Sequence, residues 1–208
     1  MRHQEAQVAE LNEKQIGVPL ILASQSPRRH MLLTEAGYRF TVNAPPDSVE
    51  AAVSIEGGPE KIVGALSYAK ADHIAGKTEH GLVLAADTIA WCDDRVLGKP
   101  ESREHAREIL ECMSGREHLV LTGVTLWLRP ENFFQTHVET TILVMKKLDP
   151  VWLEGYLESG QWRGKAGAFG YQDGIDWVRI TEGSESNVVG LPVEKLDGWI
   201  EALMNRQN

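Results

Sequence analysis

From residue 18 onward, short apolar runs with strand character alternate with capped, helix-like stretches, and this alternation narrows the possible folds most. It favours an α/β architecture over a sandwich or a helical bundle. The first run, residues 18–23, leads into Ser24-Gln25-Ser26-Pro27-Arg28-Arg29. Ser26 suits a helix N-cap, and Pro27 suits the first helical position, where no amide hydrogen is needed. The helix predicted over 27–36 stops at Gly37, and a short strand follows at 39–42. Residues 43–58, rich in Pro, Ala, Ser, Asp and Gly, read as a long irregular connection. Pro59 opens a helix through Ala75, with Gly76 as its stop. Residues 82–91 make a continuous apolar strand interrupted by Asp87-Thr88, turning at 92–95 and returning through Val96-Leu97. A helix over 102–113 and a hairpin of strands at 118–128 and 135–148 come next. Asp149-Pro150 then opens a helix that Gly160 ends, before a strand near 175–180 and a helix near 192–204.

Composition limits the setting in which such a chain works. With 208 residues, a polar N-terminal extension over 1–17 and a single domain over 18–208 are expected, needing neither disulfide nor metal to fold. The longest apolar runs fall well short of the roughly 20 residues that span a bilayer, so no membrane partner is expected. Residues 1–15 lack an apolar signal core, and sparse cysteine fits a reducing compartment, so a cytoplasmic location is expected. Cys92 and Cys112 are too few and too far apart in sequence for a zinc site, and both are expected to be free thiols. A net charge of −9 argues against a nucleic-acid polymer as partner. It leaves room for a local cationic pocket holding a small polyanion together with a divalent metal.

Several residues stand out as carriers of chemistry. Arg28 and Arg29 lie in the first turn of the first helix, where free amides and the helix dipole attract anions and two guanidinium forks can grip phosphate oxygens. Asp87 is costly to bury inside its apolar strand unless it has a partner. It could ligate Mg²⁺ or Mn²⁺, act as general base on a water, or pair with a nearby arginine. Lys99, in Gly98-Lys99-Pro100, and Lys70, on the helix that Pro59 opens, both read locally as solvated charges. In Gly164-Lys165-Ala166-Gly167-Ala168-Phe169-Gly170-Tyr171-Gln172, glycines admit close backbone approach while the Gln172 amide could read a base edge; a flexible hairpin or lid is the plainer reading. Ser184, Ser186 and Asn187 could contact phosphate or cap the last helix. The histidines at 30, 73, 80, 105, 118 and 137 form no zinc pattern, and no Gly-x-Ser-x-Gly elbow is present.

Taken in order, Leu22-Ala23-Ser24-Gln25-Ser26-Pro27-Arg28-Arg29, Ala86-Asp87-Thr88, Gly98-Lys99-Pro100, Thr122-Gly123-Val124, the glycine segment 164–172 and Asn187-Val188-Val189-Gly190-Leu191-Pro192 resemble the Maf family of nucleoside triphosphate pyrophosphatases. The resemblance covers about residues 20–203. It implies a mixed, elongated sheet with flanking helices and two lobes around a cleft, as in the inosine triphosphate pyrophosphatases. The implied reaction is metal-dependent hydrolysis of a nucleoside triphosphate to monophosphate and pyrophosphate, with Mg²⁺ or Mn²⁺ as cofactor. Asp87 then matches the proton-accepting or metal-binding acid, while Ser24, Arg29, Lys70 and Lys99 match positions around the triphosphate. Arg28, Thr88 and Gln172 match specificity positions of the branch preferring dTTP and UTP, and Lys165 is grouped with them on the substrate side. Two departures from the family pattern stand out. Ala69 replaces a common Glu, and the loop 45–50 offers Asp47 and Glu50 in place of an adjacent Asp-Glu pair, so Glu50 joins Asp87 as an expected metal ligand. Phe169 and Tyr171 stand where Tyr and Ile are common. Alternatives are a 7-methyl-GTP or modified-nucleotide pyrophosphatase and a catalytically weak nucleotide-binding regulator of cell division. Family members often dimerise, and the long hairpin leaves strand edges that would allow a homodimer.

Overall fold

Ser26, the cap expected from the sequence, accepts from the Arg29 amide at 3.4 Å and so starts α1 (Pro27–Glu35) directly after β1 (Leu20–Leu22). The fold is known from a computed structural model that describes residues 14–54, 56–174 and 176–206. β2 (Thr41–Val42) pairs in parallel with β1. The connection over 43–58 is not wholly irregular: Ser48, Val49, Glu50 and Ala51 close one helical turn, α2 (Ser48–Ala51). Its start carries no side-chain cap bond, so the usual sequence marker is missing. α3 (Pro59–Ala75) has the predicted bounds. β3 (Gly81–Cys92) turns back into β4 (Arg95–Leu97) through Asp93 and Asp94, whose φ values of 50° and 55° suit the twist of a two-residue hairpin.

α4 (Arg103–Met113) leads to the long hairpin β5 (Glu117–Arg129) and β6 (Phe133–Met145), and Asp149 caps α5 (Pro150–Ser159). The glycine segment does not form the expected hairpin. It winds through two one-turn 3-10 helices, Ala166–Ala168 and Tyr171–Asp173, which its left-handed glycines permit. β7 (Val178–Glu182) begins later than the strand expected at 175–180, and Ile175 lies outside the described residues. α6 (Glu185–Val189) and α7 (Val193–Asn205) finish the chain. Of the polar extension expected over 1–17, residues 1–13 lie outside the described residues. Lys14 bridges to Tyr38 and pairs with Asp197 at 2.5 Å. Among the described residues no helix is long and apolar enough to cross a membrane.

The strands form one seven-stranded mixed sheet in the order β2-β1-β3-β5-β6-β7, with β4 also on β3. Alternate residues of β3 face opposite sides, and both sides are covered, which explains its unbroken apolar sequence. On one face Val83 and Ala85 pack on Ala71 and Ile74 of α3, and Ile89 packs with Ile62 and Val63. On the other, Leu82 and Leu84 meet Leu33 of α1 and Leu196 and Ile200 of α7, whereas Ala90 and Cys92 meet Ile109 of α4 and Leu157 of α5. Fully buried leucines such as Leu84 each contribute about 1.5–3 kcal/mol of burial free energy. The second face therefore carries two separate cores, and Asp87-Thr88 falls at the boundary between them. This is the two-lobed, mixed α/β architecture that the resemblance implied.

Candidate active site

β3 shares one edge between two partners. β1 pairs with it through Leu84, and β4 joins only at Ala90. Residues 85–89 of that edge are left unpaired between the two, and Asp87, Thr88 and Ile89 among them front a cavity of about 590 Å³. Where β1 runs out, Ser24, Arg28 and Arg29 enter its wall; where β4 runs out, Gly98 and Lys99 do. A gap in the ladder thus brings the start of α1 and the Gly98-Lys99 turn to one space.

Arg29 is only 9% exposed, and three protein acceptors fix its guanidinium. Nε donates to the Gly190 carbonyl at 2.8 Å, Nη1 to Ser24 Oγ at 3.1 Å and Nη2 to Thr88 Oγ1 at 3.0 Å. Burial pushes Arg29 below its usual value, and Asp87 and Glu50 pull the other way while Arg28 adds to the lowering. Guanidinium remains charged under all such pressures. Thr88, matched to specificity by resemblance, here braces Arg29 and bonds onward to Thr122 at 2.9 Å. Ser24 also accepts from the Ser26 amide at 3.2 Å, tying the end of β1 to the helix start.

Asp87 is 8% exposed and Lys70 5%, and the two form an ion pair across the β3–α3 interface. Lys70 Nζ also reaches Glu50 Oε1 of α2 at 2.8 Å. The surface-lysine reading of Lys70 is therefore wrong, because its neighbours on α3 say nothing about the acid waiting on the sheet. Asp87's partner is a lysine, not the arginine considered from sequence. Asp47, Glu50 and Asp87 are the carboxylates around the cavity, hard oxygen donors of the kind that suits Mg²⁺ or Mn²⁺.

The other wall comes from the glycine segment. Phe169, Tyr171 and Gln172 line the cavity, and the Gly167 amide donates to Gly98 O at 3.2 Å, joining this wall to the Lys99 turn. Lys99 itself is exposed yet faces the cavity. Lys165 pairs with Asp173 and is not among the residues of the cavity wall, although its neighbours Gly164 and Ala166 are. Asn187 neither touches the cavity nor caps. It is fully buried, donating to Thr141 Oγ1 at 2.9 Å and Val120 O at 3.2 Å, while Ser184 provides the α6 cap.

Sequence reasoning placed two contributors within the resemblance motifs but missed what they do. The Gly190 carbonyl that holds Arg29 is a main-chain group with no residue-type signal. Gly123 stands directly opposite Asp87 in the β3–β5 ladder, and a Cβ there would sit 2.7 Å from the Val63 carbonyl carbon of α3. Only glycine lets the helix that bears Lys70 come this near the strand.

These features define an α/β protein with a cleft in which arginines and lysines surround one strand-borne acid. The chain belongs to the Maf-like protein family, whose model matches residues 19–203. It is 50% identical over 184 residues to a dTTP/UTP pyrophosphatase of Rhodopirellula baltica, covering 88% of this chain and 81% of that protein. A dTTP/UTP pyrophosphatase of Ruminiclostridium cellulolyticum is 39% identical over 88% of this chain and 95% of its own. The solved structure of a HAM1 protein from Coxiella burnetii matches the fold with a TM-score of 0.50 at 16% identity, over 90% of this chain and 99% of that one.

Proposed function

We propose that this chain hydrolyses nucleoside triphosphates, dTTP and UTP foremost, to the nucleoside monophosphate and pyrophosphate. The observation that carries the reading is a single cavity in which Asp87, paired to Lys70, shares space with the braced Arg29 and with Arg28 and Lys99. The names of the relatives, dTTP/UTP pyrophosphatase, support it.

In this reading the triphosphate lies along the start of α1, held by Arg28 and Arg29 at the positive end of the helix dipole. Lys99 approaches its oxygens from the other lobe. Water attacks the α-phosphorus, the bond to the bridging oxygen breaks, and pyrophosphate leaves. Preplaced cations stabilise the charge growing on that oxygen more in the transition state than in the ground state. Asp87 accepts the proton of the water, and Lys70 holds its carboxylate in position. A divalent cation bound by Asp87 and Glu50 would supply further charge neutralisation and a more acidic water. Beside Phe169 and Tyr171, Gln172 offers one donor and one acceptor to the edge of a pyrimidine.

Pyrophosphate release measured over a nucleotide panel with Mg²⁺ or Mn²⁺ tests the reading. Expected is kcat/KM for dTTP and UTP at least tenfold above dATP, dCTP and 7-methyl-GTP. Preference for 7-methyl-GTP would overturn the substrate assignment, and binding without release would overturn the enzyme in favour of a regulator.

A further inference from the structure

Cys92 ends β3 and Cys112 stands near the end of α4, 20 residues apart. Contrary to their sequence separation, the fold brings both sulfurs and an Asp93 carboxylate oxygen within 4.8 Å of one another, and none of the three residues lines the cavity around Asp87. Both thiols are free. They differ in setting. The Cys92 thiol is directed inward, donating to the Cys112 carbonyl at 3.7 Å and the Glu117 carbonyl at 3.9 Å. Cys112 lies nearer the surface, 9% exposed against 4%, and its sulfur accepts from Arg95 Nη2 at 3.3 Å. Arg116 pairs with Asp93. With a guanidinium already on the outer sulfur and another on the carboxylate, the cluster disfavours a divalent cation and suits sulfur chemistry.

We propose that Cys92 and Cys112 form a modification site, a dithiol that a hydroperoxide oxidises to an intramolecular disulfide, pinning the segment that carries Lys99. Cys112 attacks first. Burial and the hydrogen bond to Cys112 push the Cys92 thiol up to about 11, so it is the poorer initial nucleophile. As Cys112 sulfur attacks hydrogen peroxide, an S–O bond forms, the O–O bond breaks, and the departing oxygen takes the thiol proton and leaves as water. Cys92 sulfur then attacks the sulfenic sulfur. The S–S bond forms, the S–O bond breaks, and hydroxide leaves as water with the Cys92 proton. Two thiols lose two electrons and one peroxide gains them. The ring so closed encloses residues 93–111, which include β4 and Lys99, and the Gly98–Gly167 bond links that segment to the glycine wall.

The test needs no nucleotide, so its failure is separate from failure of the proposed activity. The full chain is treated with hydrogen peroxide and analysed by intact mass, thiol alkylation and peptide mapping. Expected is a monomer lacking both thiols, with a Cys92–Cys112 crosslink that dithiothreitol reverses, and amide exchange across residues 93–111 slowed at least threefold. Cys92→Ser should stop at a dimedone-reactive sulfenic acid on Cys112, and Cys112→Ser should leave Cys92 unmodified. Overturning results are two thiols still free after treatment, Cys112 over-oxidised beside a free Cys92, a bridge between two chains, or a bridge that leaves exchange unchanged.

Discussion

Replacing Gly123 by alanine tests whether the approach of α3 to the sheet sets the Lys70–Asp87 pair. The added Cβ would lie 2.7 Å from the Val63 carbonyl carbon, closer still to its oxygen, and 3.0 Å from Ser67 Oγ. The first two are backbone atoms of α3, so no rotamer relieves the contact. Restoring a carbon–carbon separation of about 3.5 Å requires the helix to retreat by roughly 1 Å. Val63, Ser67 and Lys70 fall on one stripe of α3, so Lys70 retreats with it. Overpacking of this kind costs about 1–3 kcal/mol, which lowers Tm by roughly 3–10 °C in a chain of this size. A 1 Å misplacement of a catalytic group costs up to about 10² in rate. The expected result is kcat down by 10- to 100-fold at a temperature where circular dichroism shows the variant fully folded. Gly64→Ala is the control on the same helix, because its Cβ would meet only Thr136 Cγ2 at 3.7 Å and Val138 Cγ2 at 3.8 Å. That variant should keep wild-type turnover and gain about 0.4–1 kcal/mol from the lost flexibility of glycine. Wild-type kcat in Gly123→Ala would refute the spacing argument. So would an equal loss in Gly64→Ala, since any bulk at the interface would then suffice.

Asp87→Asn should retain the fold and lose about 10² to 10⁴ in kcat, measured by pyrophosphate release, if Asp87 takes the proton. Arg29→Lys keeps the charge but cannot bond Gly190, Ser24 and Thr88 together, so KM for dTTP should rise at least tenfold in steady-state kinetics. His118 is 2% exposed with neither ring nitrogen bonded, and burial pushes it down to about 4. The unfolded chain takes this proton near 6.5 and the folded chain only near 4, so stability is highest above pH 6.5 and falls as pH drops. Urea titrations should show about 2–3 kcal/mol less stability at pH 4.5 than at pH 7.5 from this residue, a difference that His118→Leu should remove.

Elements with local markers were legible in the chain. Ser26-Pro27, Pro59 with Gly76, and Asp149-Pro150 with Gly160 each announce a helix boundary through backbone chemistry that needs no tertiary partner, and the structure has those helices close to where they were expected. α2 and α6 carry too few residues for periodicity to show, and both went unseen. Asp87 was conspicuous because a carboxylate in an apolar run is anomalous on local grounds. Lys70 was not, since a lysine on a helix is ordinary and only the opposing strand reveals that it is buried. Lys165 likewise has a partner that its immediate neighbours do not announce, Asp173 eight residues on in the same segment.

What makes the site is a topological quantity that no stretch of residues encodes alone. β3 reads as one uniform strand from Gly81 to Cys92, yet its outer edge changes partner midway. The position of the opening depends on how far β1 runs in parallel before Ser24 turns it into α1, and on how far β4 returns before Gly98 releases it. Had either partner continued by two residues, Asp87 would face a paired neighbour and the start of α1 or the Lys99 turn would be displaced from it. The turn chemistry at Ser24–Pro27 and at Gly98–Pro100 therefore has as much to do with the proposed reaction as the charged residues beside it, because those turns keep the ladder open where the strand carries its acid.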